Sequence, residues 1–480
     1  MDLDDQHIWI TLMDIANRKG YGGYRLLKQY GRVAVLIMML LVCASGVAQK
    51  VLAPTPPMGW NSWDSYGLTI TESQFRANVE VLAKRLRPVG YQYAVVDEGW
   101  YLLNPEKSKS ETFSYRMDQF GRYEPAMNRF VSAKGSVGFK PISDYVRSKG
   151  LKFGIHIIRG IPKGAVEKNT SVAGSRFRAA DVADTTDTCS WNPDNFGVRD
   201  NAAGQAWYDS LMKQYAAWGV DYIKVDCIAS HPYKGDEIRM IHRAIVKSGR
   251  PIVLSLSPGP APLDKNAEVA ANAQLWRISD DVWDRWERPE GERFPQGIKN
   301  QFAVIASWVP YVKPGNWPDA DMLPVGTLGP VPGWGKPRKT GLSEDEQRTL
   351  LTLWAIARSP LFVGANLTEL DDETTRLLTN REVIAMNQHG HDQRLLFQHD
   401  NLVAWTSTSG SGTRYLALFN VGDRTHRVIE PLSEFGIKMA TCRSRDLWKG
   451  SPAEKVRQIV GVIPAHGAML LELKAEPGGH

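Results

Sequence analysis

From about residue 55 to residue 388, short runs of β-forming apolar residues alternate with stretches of helical spacing, and run after run ends in polar or charged residues. Parallel strands need a crossover between them, usually a helix, so this alternation confines the chain to an α/β architecture. Eight βα units closing into a TIM barrel over residues 49–388 is the expected arrangement, with any active site at the C-terminal rim. An open doubly wound sheet is the competing architecture. It is disfavoured because no glycine-rich dinucleotide fingerprint follows the first strand.

The clearest run is Gly-Val-Asp-Tyr-Ile-Lys-Val-Asp-Cys at residues 219–227. Val220, Tyr222, Ile223 and Val225 suit a strand buried on both faces. The run closes with Lys224 and Asp226, which at i, i+2 project to one side of a strand. A lysine beside a carboxylate favours the ionised carboxylate. An ionised Asp at the C-terminal end of a barrel strand is placed to act as a nucleophile. The same pattern also fits a buried structural ion pair.

Other runs repeat the theme. Thr-Pro-Pro-Met-Gly-Trp-Asn-Ser-Trp-Asp, residues 55–64, places Trp63 just past a short strand. Residues 90–100 end in paired carboxylates, Asp97 and Glu98. Residues 151–157 carry His156, residues 251–257 end at Ser257, and residues 275–281 bring Arg277, Asp280 and Asp281. Helical spacing marks 72–86, 142–149, 203–218 and 237–248. In the third of these, Trp207, Leu211, Tyr215 and Trp218 form one apolar face. Residues 159–193 are long and turn-rich and are expected to form a lid over the site. Structural alternatives stand beside each assignment: a solvated turn for Asp97 and Glu98, core packing for Trp63 and His156, a surface i, i+4 pair for Arg277 and Asp281. Asp319 and Asp321 read as bracing a late strand; His391, His426 and His466 are assigned no chemistry.

From about residue 389 the texture changes to short alternating runs at 402–406, 414–420 and 468–473, split by Gly, Ser and Asp turns. Residues 389–480 therefore read as an antiparallel β-sandwich domain. At the other end, Arg25, Lys28 and Arg32 precede an apolar run at 33–44 and the small residues 45–48. Residues 1–48 read as a signal peptide cleaved after Ala48, its apolar run short of the roughly 20 residues of a spanning helix. The expectation is a secreted or periplasmic protein with no stable membrane span. A formal charge of +6 without a long basic run gives nucleic-acid binding no support. Of the four cysteines, Cys43 falls in the leader, and Cys189, Cys227 and Cys442 remain. In an oxidising compartment three allow one disulfide, and their spacing offers no zinc motif.

The strand-end motifs Met-Gly-Trp-Asn-Ser-Trp to Trp63, Val-Asp-Glu-Gly-Trp at 96–100, Lys-Val-Asp-Cys at 224–227, Arg277 with Asp281, and Trp-Pro-Asp-Ala-Asp-Met-Leu at 317–323 occur in this order. Together they resemble glycoside hydrolase family 27, the α-galactosidase and α-N-acetylgalactosaminidase family, from about Pro54 to the C-terminus. The resemblance implies a retaining glycosidase on a (β/α)8 barrel with a C-terminal β-sandwich, acting on a carbohydrate without metal or organic cofactor. By position it makes Asp226 the nucleophile, Asp281 the acid/base and Trp63 the surface against which the sugar packs. It makes Asp97 and Glu98 the acidic pair holding sugar hydroxyls and Lys224 a hydroxyl donor that also keeps Asp226 charged. His156, Ser257 and Arg277 line the same site. It pairs Cys189 with Cys227 and leaves Cys442 outside that disulfide. The residue types agree with the chemistry, which needs one ionised carboxylate to attack C1 and one protonated carboxyl to serve the leaving oxygen.

Three positions depart from the α-galactosidase pattern. His156 stands in place of Tyr. Ser257 stands in place of a Glu and is similar to the N-acetylgalactosaminidases, although Pro258 and Pro260 beside it match neither group. Glu98 stands in place of Asp and, one methylene longer, crowds the exocyclic CH2OH of galactose; β-L-arabinopyranose lacks that carbon. The first expectation is an α-galactosidase. A β-L-arabinopyranosidase, an α-N-acetylgalactosaminidase and a sugar-binding protein without catalysis are the alternatives.

Overall fold

The computed structural model describes residues 51–107, 112–135, 137–329 and 336–475. The signal-peptide reading of residues 1–48 lies outside them. Eight parallel strands form one sheet: β1 (Met58–Asn61), β2 (Tyr93–Val96), β3 (Lys152–Ile158), β4 (Tyr222–Asp226), β5 (Val253–Leu256), β6 (Leu275–Arg277), β7 (Trp317–Asp319) and β8 (Leu361–Val363). Their order is β7-β6-β5-β4-β3-β2-β1-β8. Each is followed by a helix before the next begins: α1 (Glu72–Val81), α2 (Lys140–Ser148), α3 (Ala202–Trp218), α4 (Gly235–Ser248), α5 (Asn266–Asn272), α6 (Ile298–Trp308), α7 (Glu344–Ala357) and α8 (Arg381–His389). The helix expected over 72–86 leaves α geometry after Val81 and continues as a π-helical turn to Leu86.

Two observations show that the sheet closes. Leu323, just past β7, bridges in parallel to Val363 of β8, with its N–H donating to the Phe362 carbonyl at 2.7 Å. Across the interior, the rings of Tyr222 on β4 and Phe362 on β8 lie 5.2 Å apart, and both contact Tyr93 on β2. Strands four apart in the sheet meet only if it has curled into a barrel.

The two-residue period of a strand sorts the interior into layers. On β4, Ile223 and Val225 pack outward in the main core, while Tyr222 joins an inner cluster with Tyr93, Val95, Val253, Leu275, Trp317 and Phe362. Large rings fill this lower layer because two neighbours on it are glycine. A Cβ on Gly59 would come within 2.7 Å of the Phe362 ring, and one on Gly154 within 3.0 Å of Tyr222. Going up the strands, the inward positions turn polar: Lys224 and Asp226 follow Tyr222, Asp97 follows Val95, and Ser255 and Ser257 follow Val253.

The helices form for local reasons. Asn201 caps α3 by accepting from the Gly204 N–H, and Ser343 with Glu346 forms a capping box on α7. α3 buries Trp207, Leu211, Tyr215 and Trp218 and stops at Gly219, whose φ of 82° suits glycine and turns the chain into β4.

The turn-rich segment expected to form a lid after β3 carries a small three-stranded antiparallel sheet, Ile161–Pro162, Asn195–Val198 and Ala183–Thr188. The C-terminal strands are β9 (Gly390–His399), β10 (Leu402–Ser409), β11 (Arg414–Asn420), β12 (His426–Pro431), β13 (Cys442–Asp446), β14 (Glu454–Val456), β15 (Gln458–Ile463) and β16 (Ala468–Lys474). They make a six-stranded antiparallel sheet, β9-β10-β11-β16-β13-β14, facing the pair β12-β15. Alternation assigns Leu416 and Leu418 to the sandwich core, with Cys442. Tyr415, Ala417 and Phe419 face the barrel core instead, where Phe419 meets Phe302 of α6 at 5.0 Å. Among the described residues no helix is long and apolar enough to cross a membrane.

The lower ring layer should govern stability. Truncating Phe362→Ala is expected to cost about 3–5 kcal/mol, read from denaturant unfolding. A loss under 1 kcal/mol would contradict this packing.

Candidate active site

A cavity of about 410 Å3 opens where the barrel strands end, and Trp63, Asp97, Glu98, Lys224, Asp226, Ser257, Arg277 and Asp281 line it. The first four come from the ends of β1, β2 and β4, the rest from the ends of β4, β5 and β6. His156 lies one layer behind. It is 1% exposed and its Nε2 is 3.2 Å from Asp226 Oδ2.

Lys224 is where sequence and structure part. Its ammonium donates to Asp97 Oδ2 at 3.1 Å, across β3, and not to Asp226. The i, i+2 rule puts Lys224 and Asp226 on one side of β4, but successive inward residues sit at different heights. Asp97 on β2 is the carboxylate within reach of the ammonium. Asn61 Nδ2 donates to the same oxygen at 2.6 Å, and the Ser62 Oγ accepts from the Asp97 N–H at 2.9 Å. Burial alone would raise the Asp97 carboxyl, but Lys224, His156, the Glu98 N–H and Asn61 outweigh it and hold it at about 2. For Lys224 burial opposes the charge, and Asp97, Asp226 and Asp321 together raise it above the usual lysine range. With Lys224 donating to Asp97, the basic side chain touching Asp226 is His156. Burial disfavours its protonation, yet Asp97 and Asp226 overcome that and raise it above an ordinary histidine.

The turn after Asp226 is held from several sides. The Cys227 N–H donates to Asp226 Oδ1, and Cys227 takes a positive φ of 61° that a non-glycine residue adopts rarely. Cys227 is bonded to Cys189 with a Cα–Cα distance of 6.0 Å, the pairing that the family resemblance implied. Its carbonyl accepts from Arg159 Nε at 2.7 Å, and Arg159 is itself paired with Asp187 and Glu237.

Asp280 and Asp281, indistinguishable by residue type, have different surroundings. Asp280 is gripped by Arg293 through both oxygens, at 2.8 and 3.0 Å, and by His231 Nε2 at 3.0 Å. Among the described residues the Asp281 carboxylate is met by Arg277 alone, at 3.1 Å on Oδ1, and the side chain is 39% exposed. Arg277 is not a surface group: it is 2% exposed and also pairs with Asp321 at 2.7 Å. Asp321, read as bracing, lines the cavity as well.

Asp97 and Glu98 are not a solvated turn either, since Asp97 is 2% exposed. Glu98 accepts a short hydrogen bond from Asn192. Burial first, then Asp226 and Asp97, raise its carboxyl to about 7, against lowering by His156 and Asn192. Asn192 belongs to the stretch expected to be a lid, and Ser190 and Trp191 beside it line the cavity. Ser257 is 1% exposed with its Oγ unpartnered among the described residues.

Sequence reasoning missed Asn61, Asp64, Trp191, Asn192, His231 and Arg293. Asn61 had a signal: it is the next inward position after Gly59 on β1. The others sit on irregular segments without a period, and only the fold brings them to the cavity. Among the described residues no group of three or more His, Cys, Asp or Glu side chains is disposed to hold a metal ion.

Comparison with known proteins follows the same two-part division. Residues 180–389 match the family described as alpha galactosidase A, and residues 399–473 match the alpha galactosidase C-terminal beta sandwich domain. The α-galactosidase of Cyamopsis tetragonoloba is 29% identical over 438 residues, covering 89% of this chain and 88% of that protein. Among solved structures, a GH27 β-L-arabinopyranosidase from Geobacillus stearothermophilus is 43% identical with a TM-score of 0.85, covering 89% of this chain and 98% of that one. A putative α-N-acetylgalactosaminidase from Bacillus halodurans is 39% identical with a TM-score of 0.76, covering 88% and 98%.

The raised Glu98 carboxyl makes a signed prediction. Its protonated form favours the fold, a contribution complete below its ordinary value of 4.5 and lost as pH rises through about 7. Glu98→Gln should flatten the fall in stability between about pH 5 and pH 8 by on the order of 3 kcal/mol relative to wild type. Parallel stability curves for the two proteins would refute the assignment.

Proposed function

Because the chain belongs to glycoside hydrolase family 27, and so is a glycoside hydrolase of α-galactosidase type, we propose that it removes terminal β-L-arabinopyranose in preference to α-D-galactose, with retention. The two sugars share a ring configuration and differ in the exocyclic CH2OH. The observation that carries the preference is Glu98: its longer side chain reaches into the cavity beside Asp97 and is fixed there by Asn192. That position crowds a sixth carbon and leaves room for a pentose. Selectivity from one methylene is typically about 1–3 kcal/mol, so galactosides remain secondary substrates. The 43% identity to a β-L-arabinopyranosidase supports the same order.

In the proposed reaction Asp226 attacks C1 while Asp281 gives its proton to the glycosidic oxygen. The C1–O bond breaks, the aglycone leaves as an alcohol, and an ester joins the sugar to Asp226. Asp281, now a carboxylate, takes a proton from water as the water oxygen attacks C1, and Asp226 is released. His156 Nε2, 3.2 Å from Asp226 Oδ2, fixes the orientation of that carboxyl for attack. Asp280, both of its oxygens engaged by Arg293 and one also by His231, is the less available of the two to a glycosidic oxygen. Trp63, half-buried at the rim, offers an aromatic face to the apolar side of the ring.

N-acetylgalactosamine ranks third. Ser257 itself lines the 410 Å3 cavity, and Pro258, which lines it beside Ser257, departs from the N-acetylgalactosaminidase pattern. Export through residues 1–48 is part of the proposal, and the Cys189–Cys227 disulfide supports it, since such bonds persist in oxidising compartments.

Two measurements test this reading. Asp226→Ala should reduce turnover of aryl glycosides by about 10^4-fold or more, with azide restoring part of it; wild-type-like activity would exclude the mechanism. On paired aryl β-L-arabinopyranoside and α-D-galactopyranoside substrates, wild type should favour the pentoside in kcat/KM, and Glu98→Asp should shift the ratio toward galactose by about 10-fold or more. An unchanged ratio would remove Glu98 as the selector.

A further inference from the structure

One carboxyl in the cavity has no part in the chemistry above. Asp64 follows Trp63 in the short helical turn Trp63–Tyr66 beyond β1. It is 3% exposed and lines the cavity. Its Oδ2 is buried and has no hydrogen-bond partner among the described residues. Its placement is built into the fold. A Cβ on Gly364, the residue after β8, would lie 1.8 Å from that oxygen, so glycine there leaves the space the carboxyl fills. The charged groups facing Asp64 are Asp97 beyond β2, Lys224 on β4, Asp281 beyond β6 and Asp321 beyond β7. Burial, then Asp321, push its carboxyl well above the usual range; Lys224 opposes them, and Asp281 and Asp97 add to the rise.

A polar group buried without a partner costs stability. Oδ2 lies against Gly364 with almost no accessible surface, so an occupant of the cavity meets this carboxyl through its other oxygen, Oδ1. The Asp97 carboxylate accepts hydrogen bonds but cannot donate, and Lys224, with three N–H donors, places one on Asp97 and none on Asp64 Oδ2. A neutral carboxyl both donates and accepts, which matches a sugar hydroxyl.

We propose that Asp64 is a further sugar-binding residue, its protonated carboxyl donating to a ring hydroxyl of the terminal sugar held against Trp63. This rests on the cavity being the glycoside site but not on which of the two sugars is preferred.

The test is steady-state kinetics of Asp64→Asn and Asp64→Leu on the aryl glycoside that wild type turns over best. Asn keeps an N–H donor, and Leu keeps only volume. The Leu variant should raise KM about tenfold or more with kcat little changed, the pattern of a contact present in both ground and transition states. It should melt at or above the wild-type temperature, because an unpartnered carboxyl has gone. The Asn variant should stay within about threefold of the wild-type KM. A folded Leu variant with the wild-type KM, or an Asn variant as impaired as Leu, overturns the proposal. If Leu does not fold, the pH profile decides. Wild-type KM should climb on the alkaline side as Asp64 gives up its proton, and Asp64→Asn should climb less, keeping only the part that Glu98 contributes; superimposable profiles overturn the proposal. Loss of turnover in Asp226→Ala tests the glycosidase reading separately from any of these results.

Discussion

An ammonium group inside a barrel is tolerable only when paired, and Lys224 meets Asp97 at 3.1 Å. Both are desolvated, and removing either partner would leave an uncompensated buried charge. Much of the cavity's electrostatics follows from that commitment. Asp97 is held ionised, so it can act only as an acceptor. Lys224 donates to Asp97 and not to Asp226, and the side chain in contact with Asp226, the proposed nucleophile, is His156. Burial first, and then the neighbouring carboxylates, push the carboxyls around this pair, Glu98, Asp64 and Asp321, toward their protonated forms.

The barrel separates the part that holds the fold from the part that reacts. Inward positions near the strand starts carry Tyr93, Tyr222, Phe362 and Trp317, which pack as rings and give the barrel a solid floor. Two positions later the same strands carry Lys224, Val95 and Asp319; two later again, Asp226, Asp97 and Asp321. A side-chain period of two along a tilted strand produces this gradient from apolar to ionic. Gly59 and Gly154 are part of the same construction, since their missing side chains leave room for the rings.

The segment between β3 and α3 does more than cover the site. Through Cys189 it is bonded to Cys227, the residue next to Asp226, and through Asn192 it holds Glu98. One irregular stretch thus touches both the turn after Asp226, the proposed nucleophile, and the side chain proposed to select the sugar. The Arg159 network with Asp187 and Glu237 fixes its other end to the Cys227 carbonyl.

The order of strand and helix, the strand-end carboxylates at 97, 226 and 281 and the change to antiparallel strands near residue 390 were all legible in the chain. Each is written in local periodicity, which needs no knowledge of what lies opposite. The partners of those residues were not legible. Nothing local distinguishes Asp280 from Asp281, and only the approach of Arg293 and His231 does so. Nor does the spacing of Lys224 and Asp226 reveal that the ammonium turns to a carboxylate two strands away. Whom a charge pairs with depends on distances across the barrel, set by strand tilt and register, and those exist only once the sheet has closed.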